Sequence, residues 1–285
     1  MSEYTLPEGY PLKAAGIDDY PIKIGQVLFT MVDPHKGFEK AYNRWYERDH
    51  YYAGCMIGAA WFAGSRWVAP RELKDLRFPN PSPFAEPLDA GSYLSIYWTL
   101  KDWTEEQQAW GGTQVWWLYS NNRGFAERTH AHTGMYNYES AFNSNDDGVP
   151  VELALDYGYD AIGVVSVEPN AGVSHDELRD ALAGVASSTL FDEGPKGPVR
   201  TVANIGAISM ERPDGAESPM SLGTNGGTLD RVLQICFVEG DIRQCWGKFK
   251  AYAAAIEATG KGKVSFAAPF FRTKTGSDNY VNDLW

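Results

Sequence analysis

Cysteine is scarce in this 285-residue chain. Cys55, Cys236 and Cys245 are the only three, and no two stand at CxxC spacing. An odd, scattered set makes no disulfide framework and reads as free thiols of a cytoplasmic protein. Positive charge is also short: 25 Lys and Arg face 37 Asp and Glu, a net charge of −12. That excludes the polycationic surface needed by nucleic-acid and anionic-membrane binders. There is no apolar run of about 18 residues to span a membrane. The opening MSEYTLPEGYPLK lacks the basic and apolar stretches of a signal peptide. Missing as well are GxGxxG after a strand, GxxxxGK[ST] and GxSxG, so dinucleotide, nucleoside-triphosphate and serine-hydrolase readings have no motif behind them. Metal ligands do not cluster beyond one His-x-His, and no cofactor is expected.

Aromatics are what the chain has in plenty: 10 Trp, 16 Tyr and 13 Phe. One reading is a large core with aromatic-rich loops. The other is a pocket for a flat organic ligand, since such pockets are mostly apolar and aromatic.

The order of elements suggests a duplicated module. Residues 1–22 read as an N-terminal arm. Ile24 to Val32 is a strand with both faces apolar, and Asp33-Pro34 offers a cap and first-turn proline for a helix over 37–49. Phe38, Ala41, Tyr42 and Trp45 form its buried stripe. A strand over 57–68, a Pro-rich loop over 69–91 of the kind that forms lids and binding loops, and a strand from Tyr93 to Leu100 come next. Thr104 to Gln107 fits a capping box for a helix that Gly111-Gly112 should break or bend. Met135 to Phe142 closes a first β-α-β-β-α-β set. After a linker the order repeats: a strand from Ala161 to Val167, a helix capped by Ser174 and Glu177, strands over 200–211 and 230–238, a helix from Asp241 to Ala258 with Ile242, Cys245, Trp246, Phe249, Ala253 and Ile256 inward, and a strand from Val264 to Phe271. The division is an arm (1–22), a first ferredoxin-like module with the site (23–142), a linker (143–160), a second module (161–272) and a tail (273–285). A four-stranded sheet with helices on one face leaves the other bare. Packing two such sheets against each other within the chain, as in a dimeric α/β barrel, removes that exposure.

The segment Phe38 to His50 after Met31-Val-Asp-Pro34 resembles the first helix of EthD-like dimeric α/β-barrel proteins, through Tyr42, Asn43, Trp45, Tyr46 and His50. Gly54, Ala59, Ala60 and Arg66-Trp67 fit the family's pattern downstream of that helix. The likeness covers about 24–68 and is absent from the second half. It implies the fold and a pocket-lining His50. The superfamily spans cofactor-free oxygenases, lyases, isomerases, cyclases and haem proteins, so it does not select a reaction.

Residue chemistry narrows the site. His50 titrates near neutrality and suits general acid/base work, or a plain helix C-terminal charge. Asp49, four residues after Trp45, falls on the apolar stripe by helical arithmetic and would be desolvated there. Tyr46 sits beside the stripe as a hydrogen-bonding assistant. Trp45 reads as core or substrate wall, while Glu47 and Arg48 read as a solvated face. Arg66 would pair with a substrate carboxylate or with a surface acid. Tyr97 and Trp98 point to opposite faces of their strand, one to the pocket and one between the sheets. His130 and His132 share one side if on a strand, as substrate-binding residues or, with Glu127 or Glu139, a metal pair; the preceding FAERT reads helical. The expectation is a cofactor-independent enzyme on a hydrophobic, aromatic small molecule, by lyase or isomerase chemistry with a preference for an aromatic-catabolism lyase. A cofactor-free or haem-dependent oxygenase and a non-catalytic ligand binder are the alternatives. Pairing of chains as a homodimer stays open.

Overall fold

Eight strands alternate with helices in the order anticipated, and each half orders its strands identically. A computed structural model describes residues 22–145, 148–208 and 229–285; most of the expected arm, and the end of the strand placed over 200–211, lie outside the described residues. The strands are β1 (Ile24–Pro34), β2 (Trp61–Val68), β3 (Tyr93–Leu100), β4 (Arg128–Asn143), β5 (Ala161–Pro169), β6 (Val199–Ala207), β7 (Val232–Val238) and β8 (Gly262–Arg272). They close into a barrel in the order β1-β3-β2-β8-β5-β7-β6-β4, with antiparallel pairing at every step. Each half therefore runs fourth-first-third-second, the ferredoxin-like order, and the two sheets bury their inner faces against each other as in a dimeric α/β barrel.

The two seams differ. β4 and β6 pair from Tyr136–Ala207 to Asn143–Thr201, whereas β2 and β8 share only Trp67–Arg272 and Val68–Phe271. The segment 69–91 fills the short seam, so it is a wall of the barrel and not a lid. Phe78 bridges Ala267, and the Ser82 hydroxyl donates to the Ser265 carbonyl at 2.7 Å. The buried Arg77 guanidinium ties the segment's end together through the Ala90 and Gly91 carbonyls. Phe84 enters the barrel and stacks on His132 at 4.0 Å and Phe266 at 4.8 Å. Val151, Ala154, Leu155 and Tyr159 of the segment between β4 and β5 join the same core, and Val151 accepts from the Trp98 indole N–H.

The helices are α1 (Glu39–Trp45), α2 (Arg71–Lys74), α3 (Thr104–Ser120), α4 (His175–Thr189) and α5 (Ile242–Ala258). The Ser174–Glu177 capping box forms, and the inward stripe of α5 is buried as expected. Phe249 of that stripe lies on Gly163 of β5, where an added Cβ would meet its ring at 2.3 Å. Several local expectations fail. Asp33-Pro34 ends β1 and caps no helix, because the Asp33 carboxylate is taken by the Gly91 and Ser92 amides. Trp103, not Thr104, caps α3, with no side-chain bond. α3 also runs through Gly111-Gly112: two glycines cost about 1 kcal/mol each, while the helix is docked by buried Gln107 and Leu118 and by Gln114, which donates to the Ala53 carbonyl at 2.6 Å. The FAERT segment is not helical, and β4 starts at Arg128.

Phe84→Ala should empty the barrel where no neighbour can refill it. The expected loss is about 3–5 kcal/mol, read from urea unfolding midpoints at constant slope.

Candidate active site

The helices cover the outer face of the first sheet, and the middle of that face is incompletely closed. Leu28 lies between Tyr97 and Met135 across the strands, and Thr30 lies between Ser95 and Thr133. Leu28, Met135 and His130 are only half-buried, as are His50, Trp110 and Gln114 of the overlying elements. We read these half-buried side chains as marking a recess, floored by an apolar row and a hydroxyl row.

Its roof is the chain after α1. Residues Tyr46–His50 and Tyr52–Met56 are π-helical, a widened form often found at functional sites. The wider turn brings residue i+5, not i+4, back over residue i. His50 therefore stacks on Trp45 with ring centroids 4.5 Å apart, and Asp49 is rotated out of the stripe into an ion pair with Arg123. The expectation of a desolvated Asp49 is corrected by this single inserted step. Gly54 packs against His50: a Cβ there would meet Cε1 at 3.0 Å.

Tyr46 and Tyr97 share a hydrogen bond of 2.8 Å between their hydroxyls. Burial raises both above the ordinary tyrosine value, so they remain phenols. The Arg66 guanidinium lies 4.4 Å from the Tyr46 ring and 4.9 Å from the Tyr93 ring, bonded to Asn43 at 3.0 Å and paired with Glu47 at 3.3 Å. Glu47 is hence a buried partner of Arg66, not part of a solvated face; the C-terminal tail, whose Gly276 amide donates to Glu47, covers it.

A β-bulge separates the two histidines of β4. Met31 pairs with His132 and Val32 with His130, leaving Ala131 extra, so one step of the bulge turns the two rings to opposite faces. His132 enters the barrel and bonds Tyr136 at 2.7 Å. It cannot share a ligand with His130. Trp98 likewise belongs to the barrel interior while Tyr97 faces the recess, so of the strand pair only Tyr97 is in the site. His130 bonds Thr133 through Nδ1 at 2.7 Å and accepts from Arg128 Nε through Nε2 at 3.2 Å. Among the described residues no group of three His, Cys, Asp or Glu could hold a metal.

Burial, then the charges of Arg128, His130 and Arg66, lower His50 to about 3; burial and Arg128 do the same to His130. Both rings are neutral at pH 7, and the His50 Nδ1 is buried without a partner among the described residues. Trp45, Tyr46, His50, Arg66, Tyr97 and His130 are thus gathered, while Asp49, Trp98 and His132 are not. Thr30, Ser95, Thr133 and Arg128 were missed. Thr30, a hydroxyl within an apolar strand, was the one signal that could have found them. Two openings flank the cluster: a cleft of about 220 Å³ beside Arg66, Tyr51 and Tyr52, and a basin of about 890 Å³ reaching His130 from His35 and Trp285.

No family model and no curated protein sequence matches this chain. Solved structures do. An anthrone oxidase-like protein is 12% identical, with 90% of this chain and 95% of that chain covered and a TM-score of 0.50. A variant of DypB from Rhodococcus jostii RHA1, in complex with haem, is 10% identical over 92% and 96% of the two chains, with a TM-score of 0.53. These likenesses show the dimeric α/β-barrel fold. Four of the five histidines do not fit haem. Both nitrogens of His130 are engaged, and His132 is stacked on Phe84. His35 and His175 are bonded near the surface. No helix is long and apolar enough to cross a membrane among the described residues.

The neutral histidines carry a pH signature. An unfolded chain protonates them near 6.5, the folded one only near 3. Between those values the unfolded state binds more protons, so stability is complete above about pH 6.5 and declines as pH falls toward 3. A His50→Gln, His130→Gln double variant should flatten that decline in melting temperature; identical slopes would assign it to other groups.

Proposed function

We propose that the protein is an enzyme acting on a small aromatic molecule in the recess beneath α1, by removing a proton with His50. The observation that carries this reading is the neutral His50, stacked on Trp45, with a buried Nδ1 that no group among the described residues satisfies. A neutral imidazole is a proton acceptor at pH 7. Arg66 and Arg128, which help keep it neutral, also stabilise the anion left when a phenolic or enolisable substrate loses its proton. Formation of that anion next to His50 raises the proton affinity of the ring and offsets part of its low basicity. Tyr97 and the Thr30–Thr133 hydroxyl pair, 2.7 Å apart, supply orientation on the floor. Tyr46 acts by holding Tyr97. The lyase or isomerase outcome follows if the anion eliminates, cleaves or reprotonates elsewhere, and no prosthetic group is needed for the proton step. EthD-like kinship rests on Tyr42, Asn43, Trp45, Tyr46 and His50 in the roof.

The second reading, a cofactor-free oxygenase, uses the same anion with dioxygen as its acceptor. The fold likeness to an anthrone oxidase-like protein favours it. Aromatic-catabolism lyase chemistry remains the first reading, because the proton step requires no oxidant.

Turnover of a panel of phenolic and enolisable aromatic compounds, under argon and in air, separates the two. Conversion under argon supports the lyase or isomerase reading, and conversion in air alone supports the oxygenase. In either case His50→Gln should lower kcat/KM by about 100-fold or more at unchanged melting temperature. Full activity in that variant, or binding without turnover, would overturn the assignment.

A further inference from the structure

Arg128 fixes the direction of a hydrogen-bond chain that ends on the floor of the recess. A guanidinium only donates, so His130 Nε2, 3.2 Å from Arg128 Nε, is the acceptor and carries no proton. The proton of the neutral ring is then on Nδ1, which donates to Thr133 Oγ1 at 2.7 Å. The Thr133 and Thr30 hydroxyl oxygens lie 2.7 Å apart. Among the described residues these hydroxyls have no partner outside the chain. The protons of Nδ1 and of the two hydroxyls serve only two contacts, so one hydroxyl proton is left over whichever threonine donates. Mutual polarisation favours head-to-tail order, in which each hydroxyl accepts once and donates once. That order puts the spare proton on Thr30, whose oxygen also lies 3.5 Å from Nδ1 as an acceptor.

The chain is anchored at the Arg128 end and open at the Thr30 end. Arg128 Nη1 donates to the Phe125 carbonyl at 2.9 Å and Nη2 to the Tyr119 hydroxyl. Its guanidinium lies 4.7 Å from the centre of the Trp45 ring, the indole on which His50 stacks. One side chain therefore places both the base and the donor chain. Thr30 keeps 7% of its surface and Thr133 8%. The Thr30 backbone is paired on both sides, with Ser95 and with Thr133, so its remaining surface belongs to its side chain. Half-buried Leu28 and Met135 lie beside it on the same face of the sheet.

We propose that the Thr30 hydroxyl, polarised through Thr133 and His130 by Arg128, is the donor to the substrate oxygen on which negative charge develops. The proposal rests on the reading of the recess as the active site and gives its floor a chemical role. His130 is then a positioning residue with a fixed proton, not a second base. When His50 takes the substrate proton, the electron pair of the broken bond stays with the substrate and comes to rest on that oxygen. A hydroxyl already aimed there needs no reorientation as the charge forms. The matching substrates carry a phenolic or an enolisable carbonyl oxygen, and an aromatic ammonium, which offers only donors, does not match.

Para-nitrophenol tests this, because its phenolate absorbs at longer wavelength than the phenol. At fixed pH, the probe bound to the parent protein should be ionised about tenfold more readily than the probe bound to a Thr30→Val, Thr133→Val double variant. Arg66 and Arg128 are present in both proteins, so the comparison reads the hydroxyls alone. His130→Gln can accept from Arg128 through Oε1 and donate to Thr133 through Nε2, and should keep most of the effect. His130→Leu can do neither and should lose most of it; this pair decides the matter if the double variant does not fold. His50→Gln should ionise the bound probe as the parent does, since water takes the proton at equilibrium, so the donor is tested whether or not His50 is the base. Equal ionisation in the parent and the double variant, or an equal effect in His130→Gln and His130→Leu, would overturn the proposal and leave the recess reading standing. Absence of para-nitrophenol binding in the millimolar range would overturn both.

Discussion

Closure of two half-barrels upon one another is the constraint on which the other features depend. Each four-stranded sheet is apolar on both faces, and its own helices cover only the outer one. Burying the inner faces together removes that surface from water at about 25 cal/mol per Å². Joining the strand edges into a ring leaves no bare edge for other chains to pair with. The interior is then filled with side chains, including Phe84 from a connecting segment and the linker residues Val151, Leu155 and Tyr159. Room for chemistry is consequently sought outside the barrel, between sheet and helices.

Closure is not symmetrical. The β4–β6 seam carries a long ladder and the β2–β8 seam a short one. The Pro-rich segment 69–91 makes up the missing pairing at one end of the short seam, and the other end is left open beside Arg66. The same asymmetry explains why the Tyr51–Tyr52 stretch, Arg66 and the tail around Thr275 converge. Buried Arg66 lies between the two regions, and its charge acts on His50.

At the first helix, a change of one residue per turn decides which groups meet. Had α1 continued as a regular helix, Asp49 would lie one turn above Trp45 and His50 would point away. The π-helical turns exchange them, putting a neutral ring on the indole and a carboxylate at the surface with Arg123. The bulge at Ala131 performs a comparable exchange on the floor, dividing His130 from His132. Sequence periodicity carries neither event, because both insert one residue without any distinctive residue type.

Local pattern alone was enough for the order of strands and helices, the Ser174–Glu177 cap, the α5 stripe and the need for two sheets to pack, since these depend on short-range periodicity and on apolar surface that must be buried. It also marked Trp45, Tyr46, His50 and Arg66 as near neighbours of one helix and the next strand. Tertiary structure decided the rest. Which face each histidine takes, that Glu47 is buried under the tail, that segment 69–91 is wall and not lid, and that Arg66 opens on a cleft all depend on contacts between residues far apart in the chain. Such contacts exist only once the barrel has closed.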